Sequence, residues 1–287
     1  MKPSTRVALA VGLFLGSAVA QGGWAGGFEV QGHRGARGLA PENTVAAFET
    51  AIELGVTTLE LDVVMTRDGV FAVHHDLRIN SKICKSRGEA LLPRGPLAEM
   101  EFSDLSQLDC GSGRLGNFPE QVLSPGEPIP RLEQVLDLAV SSPYPARLSI
   151  ELKQPMGKMP KSVEEVVATL VELLGQRNLV DRAIVQSKWG EVLAEVRKQE
   201  PALGRSLVIR IASAKPWIED GTATIVSRKH VYLDRGEVKN LQKQGVRVIP
   251  WTVNKAKAIQ KMMDWGVDGI ITDYPDRALD ILKAQTP

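Results

Sequence analysis

The chain has 287 residues, 43% of them hydrophobic, a formal charge of +1 and two cysteines. That apolar content can fill one large core, and a single α/β barrel of about 250 residues fits the length. The near-neutral charge excludes nucleic acid and other extended polyanions as partners.

In chain order, Lys2 and Arg6 precede an apolar run over residues 7–20 that ends in Ala18-Val19-Ala20. This is the pattern of a secretory leader, cut after Ala20. Loss of Lys2 and Arg6 takes the formal charge from +1 to about −1. The run is short for a membrane span and no second one follows, so the mature protein is expected to be soluble, secreted to the periplasm and not inserted in the membrane. An uncleaved N-terminal anchor is the alternative.

Beyond a glycine-rich entry at residues 22–27, a strand is predicted over 28–31. Val45, Phe48 and Ile52 have helical spacing within 44–54, and Gly55 is placed to end that helix. A strand at 58–64, the turn Arg67-Asp68-Gly69 and a strand at 70–75 read as a short hairpin. Residues 77–128 then break the rhythm, being rich in Gly, Pro and basic residues with a brief helix at 103–108. Too long for an ordinary connection, they read as a loop-rich insertion early in a barrel domain spanning 28–287. Cys84 and Cys110 both lie in it, and in an exported protein they are expected to form a disulfide, which on chain-entropy grounds contributes about 3 kcal/mol. No zinc-type spacing surrounds them.

From Pro130 the alternation becomes regular: helix 132–140, strand 147–153, helix 162–174, strand 183–186, helix 191–198 and strand 206–210. After a vaguer stretch come strand 231–233, helix 237–244, strand 246–251, helix 255–265, strand 269–271 and helix 277–283. About eight βα units predict a closed parallel (β/α)8 barrel of the TIM type. A doubly wound open sheet is the alternative, but no glycine-rich nucleotide fingerprint opens it.

The informative residues sit on or just past these strands. Side chains alternate along a strand, so Glu60 and Asp62 share one face while Leu59, Leu61 and Val63 share the other. Glu151 and Lys153 repeat the arrangement opposite Ile150 and Leu152. Burying such charge costs several kcal/mol unless it is compensated, so the pattern reads as a site. Glu60, Asp62 and Glu151 offer oxygen only, a set suited to one hard divalent cation, Ca²⁺ or Mg²⁺, rather than zinc. Histidine suits proton transfer near neutrality, and His33, His74 and His75 follow the first and third strands. Alternation does not choose between His74 and His75.

His33-Arg34-Gly35-Ala36, Pro41-Glu42-Asn43-Thr44, Glu60-Leu61-Asp62, His75-Asp76, Glu151-Leu152-Lys153, Trp251-Thr252-Val253-Asn254 and Gly269-Ile270-Ile271-Thr272-Asp273 together resemble the glycerophosphodiester phosphodiesterase family. The resemblance runs from about Val30 to Leu282. It implies a (β/α)8 barrel that hydrolyses a small glycerophosphodiester to an alcohol and glycerol 3-phosphate with a divalent cation. It also implies His33 and His75 as the acid-base pair, with His33 the base, and Arg34 as a phosphate contact. Lys153 is implied either as a phosphate contact or as the counter-charge of Glu151. Trp251 is a candidate floor for the glycerol pocket or barrel-mouth packing. The attacking oxygen is either water or the substrate's own glycerol hydroxyl. Glu42 and Asn43 read as capping the first helix and tying down the His33 loop, and Asp273 as a turn or cap before the last helix.

The chain departs from the usual family pattern at Leu77-Arg78-Ile79-Asn80 and at Gln186-Ser187-Lys188-Trp189, where the family commonly has Gln-Ser-Phe-Asp. Those departures bear on the alcohol side of the pocket. Lys82, Lys85, Arg87 and Arg94 in the insertion are candidates for recognising anionic headgroups. The rival readings are a lysophospholipase D-type enzyme, which needs an apolar channel, and a catalytically silent phosphodiester-binding protein, in which a histidine or carboxylate should be missing. A sugar-phosphate barrel enzyme is disfavoured by the paired inward carboxylates and by the lack of a glycine-rich phosphate loop.

Overall fold

A computed structural model describes residues 27–88, 91–153 and 161–285. The leader predicted at residues 1–20 lies outside them. The elements run β1 (Glu29–Gly32), α1 (Val45–Leu54), β2 (Thr58–Met65), β3 (Phe71–Val73), β4 (Lys85–Ser86), α2 (Phe102–Ser106), β5 (Leu108–Asp109), α3 (Leu132–Ser141) and β6 (Arg147–Leu152). They continue with α4 (Val163–Gly175), β7 (Ala183–Ser187), α5 (Gly190–Gln199), β8 (Gly204–Ile209), α6 (Lys215–Glu219), β9 (Ile225–Arg228), α7 (Arg235–Lys243), β10 (Arg247–Val248), α8 (Ala256–Trp265), β11 (Gly269–Thr272) and α9 (Pro275–Gln285).

Eight strands lie side by side in the order β10-β9-β8-β7-β6-β2-β1-β11, every neighbouring pair parallel. Backbone bonds from Asp268 N to Val248 O, Ile271 N to Pro250 O and Val253 N to Ile271 O join the two ends of that path. The sheet is thus a (β/α)8 barrel. Two apolar layers follow from strand alternation. Leu59, Leu61, Val63, Leu148, Ile150 and Leu152 face outward into the main core against the helices. Ile184, Ile225, Ile249 and Ile271 meet inside the barrel, with Trp251 packed on them.

β3 pairs antiparallel with β2 through Val63–Val73, Val64–Ala72 and Met65–Phe71, which is the expected hairpin. The chain between β3 and α3 carries β4, β5 and α2 around its own small core, which includes Ile83, Leu97, Phe102 and Leu105. Cys84 and Cys110 are bonded within it.

Three expectations are corrected. The strand at 231–233 is a 3-10 turn at His230–Tyr232, and the barrel strand is β9. The Val231-Tyr232-Leu233 run looked the better strand because β9 turns the small polar Ser227 into the barrel, which weakens its apolar signal. The strand at 246–251 is regular only at Arg247–Val248, since Pro250 has no N–H for the ladder. The cap of α1 is neither Glu42 nor Asn43 but Thr44, whose Oγ1 accepts from Ala47 N at 3.2 Å. No helix among the described residues is long and apolar enough to cross a membrane.

Candidate active site

The carboxyl ends of β1, β2, β6 and β7 bring the charged residues together. Glu60 is 2% exposed, Asp62 0% and Glu151 6%, and each offers an oxygen within 4.8 Å of the others'. Register explains the convergence, because β2 and β6 pair Asp62 opposite Glu151, and alternation sends Glu60 to the same side as Asp62.

Their surroundings differ. Glu60 accepts from the backbone N of Arg34 at 2.8 Å and from Gln186 Nε2 at 3.2 Å. Burial, together with the charges of Asp62 and Glu151, raises its pKa well above the ordinary carboxylate value. Burial acts the same way on Asp62, but Lys153 and Arg34 overcome it and hold that carboxyl well below the usual range. Lys153 Nζ stands 2.9 Å from Asp62 Oδ1 and 2.8 Å from Glu151 Oε2, so it balances both carboxylates. Glu151 Oε1 is buried without a hydrogen-bond partner among the described residues. Three oxygen donors within 4.8 Å of one another, one residue of them with an unsatisfied buried oxygen, fit a hard divalent cation.

Arg34 is buried, its Nη1 donating to Glu42 Oε1 at 2.7 Å and its Nε lying 3.3 Å from Asp62 Oδ2. Glu42 also pairs with Arg37 Nε at 2.5 Å. Glu42 therefore locks two arginines of the His33 loop and caps no helix. Asn43 ties the same loop to β2, donating to Asp62 Oδ2 at 3.0 Å. The loop folds back tightly: Arg34, Gly35 and Asn43 have φ of 53°, 85° and 56°. A Cβ on Gly35 would lie 2.6 Å from the Ala47 carbonyl in α1. Gly35→Ala is expected to cost about 2–4 kcal/mol from left-handed strain and overpacking, measurable by urea unfolding. An unchanged midpoint would mean that the loop relaxes freely.

His33 and His75 line one cavity of about 180 Å³ with Arg34, Glu60, Glu151 and Lys153. His33 Nδ1 lies 2.5 Å from Asp273 Oδ1. Burial would raise the Asp273 pKa, but His33, Arg37 and Asn254 keep it below its ordinary value, so an ionised carboxylate accepts. Nδ1 must then carry the proton, leaving the Nε2 lone pair free. Burial, aided by Arg34 and Arg37, outweighs Asp273 and keeps the imidazole's pKa below the usual value, favouring the neutral base.

His75 Nδ1 lies 2.8 Å from Asp76 Oδ1, and that bond brings the Asp76 pKa down to about 2. His74 is buried and absent from the cavity lining, which separates it from His75. Trp251 lines the cavity too, its Nε1 donating to Ser227 O at 2.8 Å. None of Lys82, Lys85, Arg87 and Arg94 lines it, whereas Lys188 does.

Asp273 is the residue whose part in the site the sequence did not reveal. Its position before α9 resembles that of a cap, and only β1–β11 pairing, with Gly32 opposite Thr272, puts it beside His33. Asn254 clamps it, donating from Nδ2 to Asp273 Oδ2 at 2.6 Å and accepting at Oδ1 from Asp273 N at 2.9 Å.

The chain has relatives among known proteins. Residues 33–277 match the model of the glycerophosphoryl diester phosphodiesterase family. The chain belongs to that family. The glycerophosphodiester phosphodiesterase of Caldanaerobacter subterraneus subsp. tengcongensis is 31% identical over 253 residues, covering 88% of this chain and 96% of its own. A solved structure from Silicibacter pomeroyi DSS-3 superposes with a TM-score of 0.83 at 30% identity, covering 92% of this chain and 96% of that one. The Oleispira antarctica phosphodiesterase OLEI02445, solved with the product sn-glycerol-3-phosphate, gives a TM-score of 0.74 at 26% identity over 89% of this chain and 96% of its own. The family match thus spans the chain from the end of β1 to the start of α9 and every charged residue of the cavity.

Proposed function

We propose that this protein hydrolyses small glycerophosphodiesters to an alcohol and glycerol 3-phosphate, with one divalent cation of the Ca²⁺ or Mg²⁺ class held by Glu60, Asp62 and Glu151. The observation that carries this reading is one cavity lined by His33, His75, Glu60 and Glu151, with an oxygen of the buried Asp62 within 4.8 Å of those two carboxylates. When bound, the cation supplies charge neutralisation at a phosphoryl oxygen.

His33 Nε2 takes the proton of the attacking hydroxyl as its oxygen bonds to phosphorus. His75 delivers a proton to the departing alkoxide as the other P–O bond breaks. Asp273 and Asp76 orient the two rings from their Nδ1 sides. Arg34 and Lys153, already fixed by Glu42 and Asp62, present guanidinium and ammonium donors toward the phosphate. Trp251 gives the glycerol an apolar floor. The same two proton transfers serve water, giving glycerol 3-phosphate at once, or the glycerol's own hydroxyl, giving a cyclic phosphate that water then opens with the two histidines in exchanged roles; a cyclic phosphate seen at early times identifies the latter.

The small cavity, with apolar walls only at Val208, Trp251 and Ile271 among the described residues, disfavours a lysophospholipase D-type reaction on an acylated substrate. No catalytic histidine or carboxylate is missing, which disfavours a silent binding protein. The basic, apolar and small-residue order of residues 1–20 supports export to the periplasm.

The test is release of glycerol 3-phosphate from glycerophosphodiesters with and without EDTA or EGTA. Turnover is expected with Ca²⁺ or Mg²⁺, falling at least about 100-fold on chelation. Full activity in chelator would remove the cation from the reaction, and turnover of acylated substrates alone would favour the lipid-acting reading.

A further inference from the structure

We propose that Lys188 is a specificity-determining residue that favours diesters whose alcohol carries a second anionic group, a phosphate or a carboxylate, over those whose alcohol is cationic. The inference rests on the reading of this cavity as a glycerophosphodiester site and deepens it.

The cavity has two unlike flanks. On β1, β2 and β6 the cations are matched: Arg34 and Arg37 by Glu42, Lys153 by Asp62 and Glu151. The flank from β7 to β11 is apolar or neutral, with Val208, Trp251 and Ile271, except for Lys188. Lys188 is exposed at the cavity and makes no ion pair or hydrogen bond among the described residues. A hydrated ammonium on such a wall is free to meet an incoming anion.

Its backbone is fixed. Lys188 and Trp189 alone connect β7 to α5, with Trp189 N donating to Ser187 Oγ at 3.2 Å. Beyond them Gly190 lies so close to the Trp217 ring that a Cβ there would be 2.1 Å from Cε2. The turn thus holds Lys188 at the mouth.

The aromatic surface on this flank favours the same sign of ligand. A bare tryptophan face attracts a quaternary ammonium, but Lys229 Nζ already stands 5.9 Å from the Trp251 ring centroid. Lysines at positions 188 and 229 therefore both oppose a cationic alcohol on this flank, beside the glycerol on Trp251. Every substrate of this class shares a neutral glycerol and one diester phosphate. An additional anion to match Lys188 must therefore sit on the alcohol.

The experiment compares kcat/KM for glycerophosphoinositol 4-phosphate, glycerophosphoglycerol and glycerophosphocholine in wild type, Lys188→Met, Lys188→Glu and Lys188→Arg. The wild type is expected to prefer them in that order. The ratio of the first to the last should fall about three- to fivefold in Lys188→Met and about tenfold or more in Lys188→Glu, as expected for one screened charge lost or reversed. Lys188→Arg should retain the ratio, and 0.5 M NaCl should shrink it in the wild type by roughly the factor lost in Lys188→Met. An unchanged ratio in Lys188→Met and Lys188→Glu, or an equal fall for all three diesters, overturns the inference while leaving the hydrolase reading intact. Failure of the wild type to release glycerol 3-phosphate from any diester overturns the hydrolase reading and the inference with it.

Discussion

His33→Ala is expected to lower kcat by about 10³–10⁴-fold, the upper part of what a positioned proton acceptor contributes. Circular dichroism should be unchanged. The sharper variant is Asp273→Asn, which keeps the shape of a side chain 2.5 Å from His33 Nδ1 but removes its charge. An amide nitrogen turned to Nδ1 donates, so the imidazole moves its proton to Nε2, the atom that must be free to accept. A fall in kcat of about 10²-fold or more is expected, because the wrong tautomer is an inactive base.

The pH profile adds a second readout. Asp273 pulls the His33 pKa upward against burial, so its loss should move the acid limb of kcat/KM to lower pH. A structural role for Asp273 would reduce the amount of folded enzyme and leave the limb in place. An unmoved limb with normal kcat would sink the assignment of His33 as base.

The second large effect belongs to Glu60. Glu60→Gln should lower kcat/KM by about 10²–10³-fold, the scale of losing one electrostatic stabiliser of a phosphoryl transition state. Unlike most changes at buried sites, it should also stabilise the protein when no cation is bound. The folded-state pKa of Glu60 is raised by burial and by Asp62 and Glu151. Its contribution to stability is therefore complete below the ordinary carboxylate pKa and is lost as pH rises through the raised value. In chelator, the Tm of the wild type should fall from pH 5 to pH 8, and that of Glu60→Gln should fall less.

Added Ca²⁺ or Mg²⁺ should raise the wild-type Tm by about 2–4 °C per kcal/mol of binding and leave that of Glu60→Gln nearly unchanged. Identical pH and cation responses in the two proteins would remove Glu60 from the cation site. Asp62→Ala is a poorer probe, since it takes one carboxylate partner from each of the buried Lys153 and Arg34, leaving them Glu151 and Glu42, and should cost about 1.5–3 kcal/mol of stability whether or not a cation binds.

Strand alternation was legible wherever an outward apolar set accompanied it. Periodicity alone, with Leu59, Leu61 and Val63 on one face and Glu60 and Asp62 on the other, decides which side chains point into the barrel. The helices other than α6, which falls in the vaguer stretch after β8, were legible for the same reason, down to Gly55 as the left-handed end of α1. β9 was not, because a strand whose inward face carries Ser227 loses the periodic signal that burial normally writes into sequence. The insertion's basic residues were visible as a cluster, but only the path of the chain shows that Lys188 lines the cavity and Lys82, Lys85, Arg87 and Arg94 do not.

By itself the sequence determined the barrel, the oxygen-only carboxylate set and the two histidines in the right chain order, since each depends on local periodicity or on a short contiguous motif. Tertiary structure alone decided what each of these residues is bonded to. Asp273 lies 240 positions from His33 and reaches it because β1 and β11 pair side by side. Lys153 falls between Asp62 and Glu151 because barrel register stacks the ends of β2 and β6, and Glu42 falls between Arg34 and Arg37 because the β1–α1 loop folds back on itself. Protonation and tautomer follow from those contacts, which is why chemistry at the level of single protons was beyond the sequence while the inward set of three carboxylates was not.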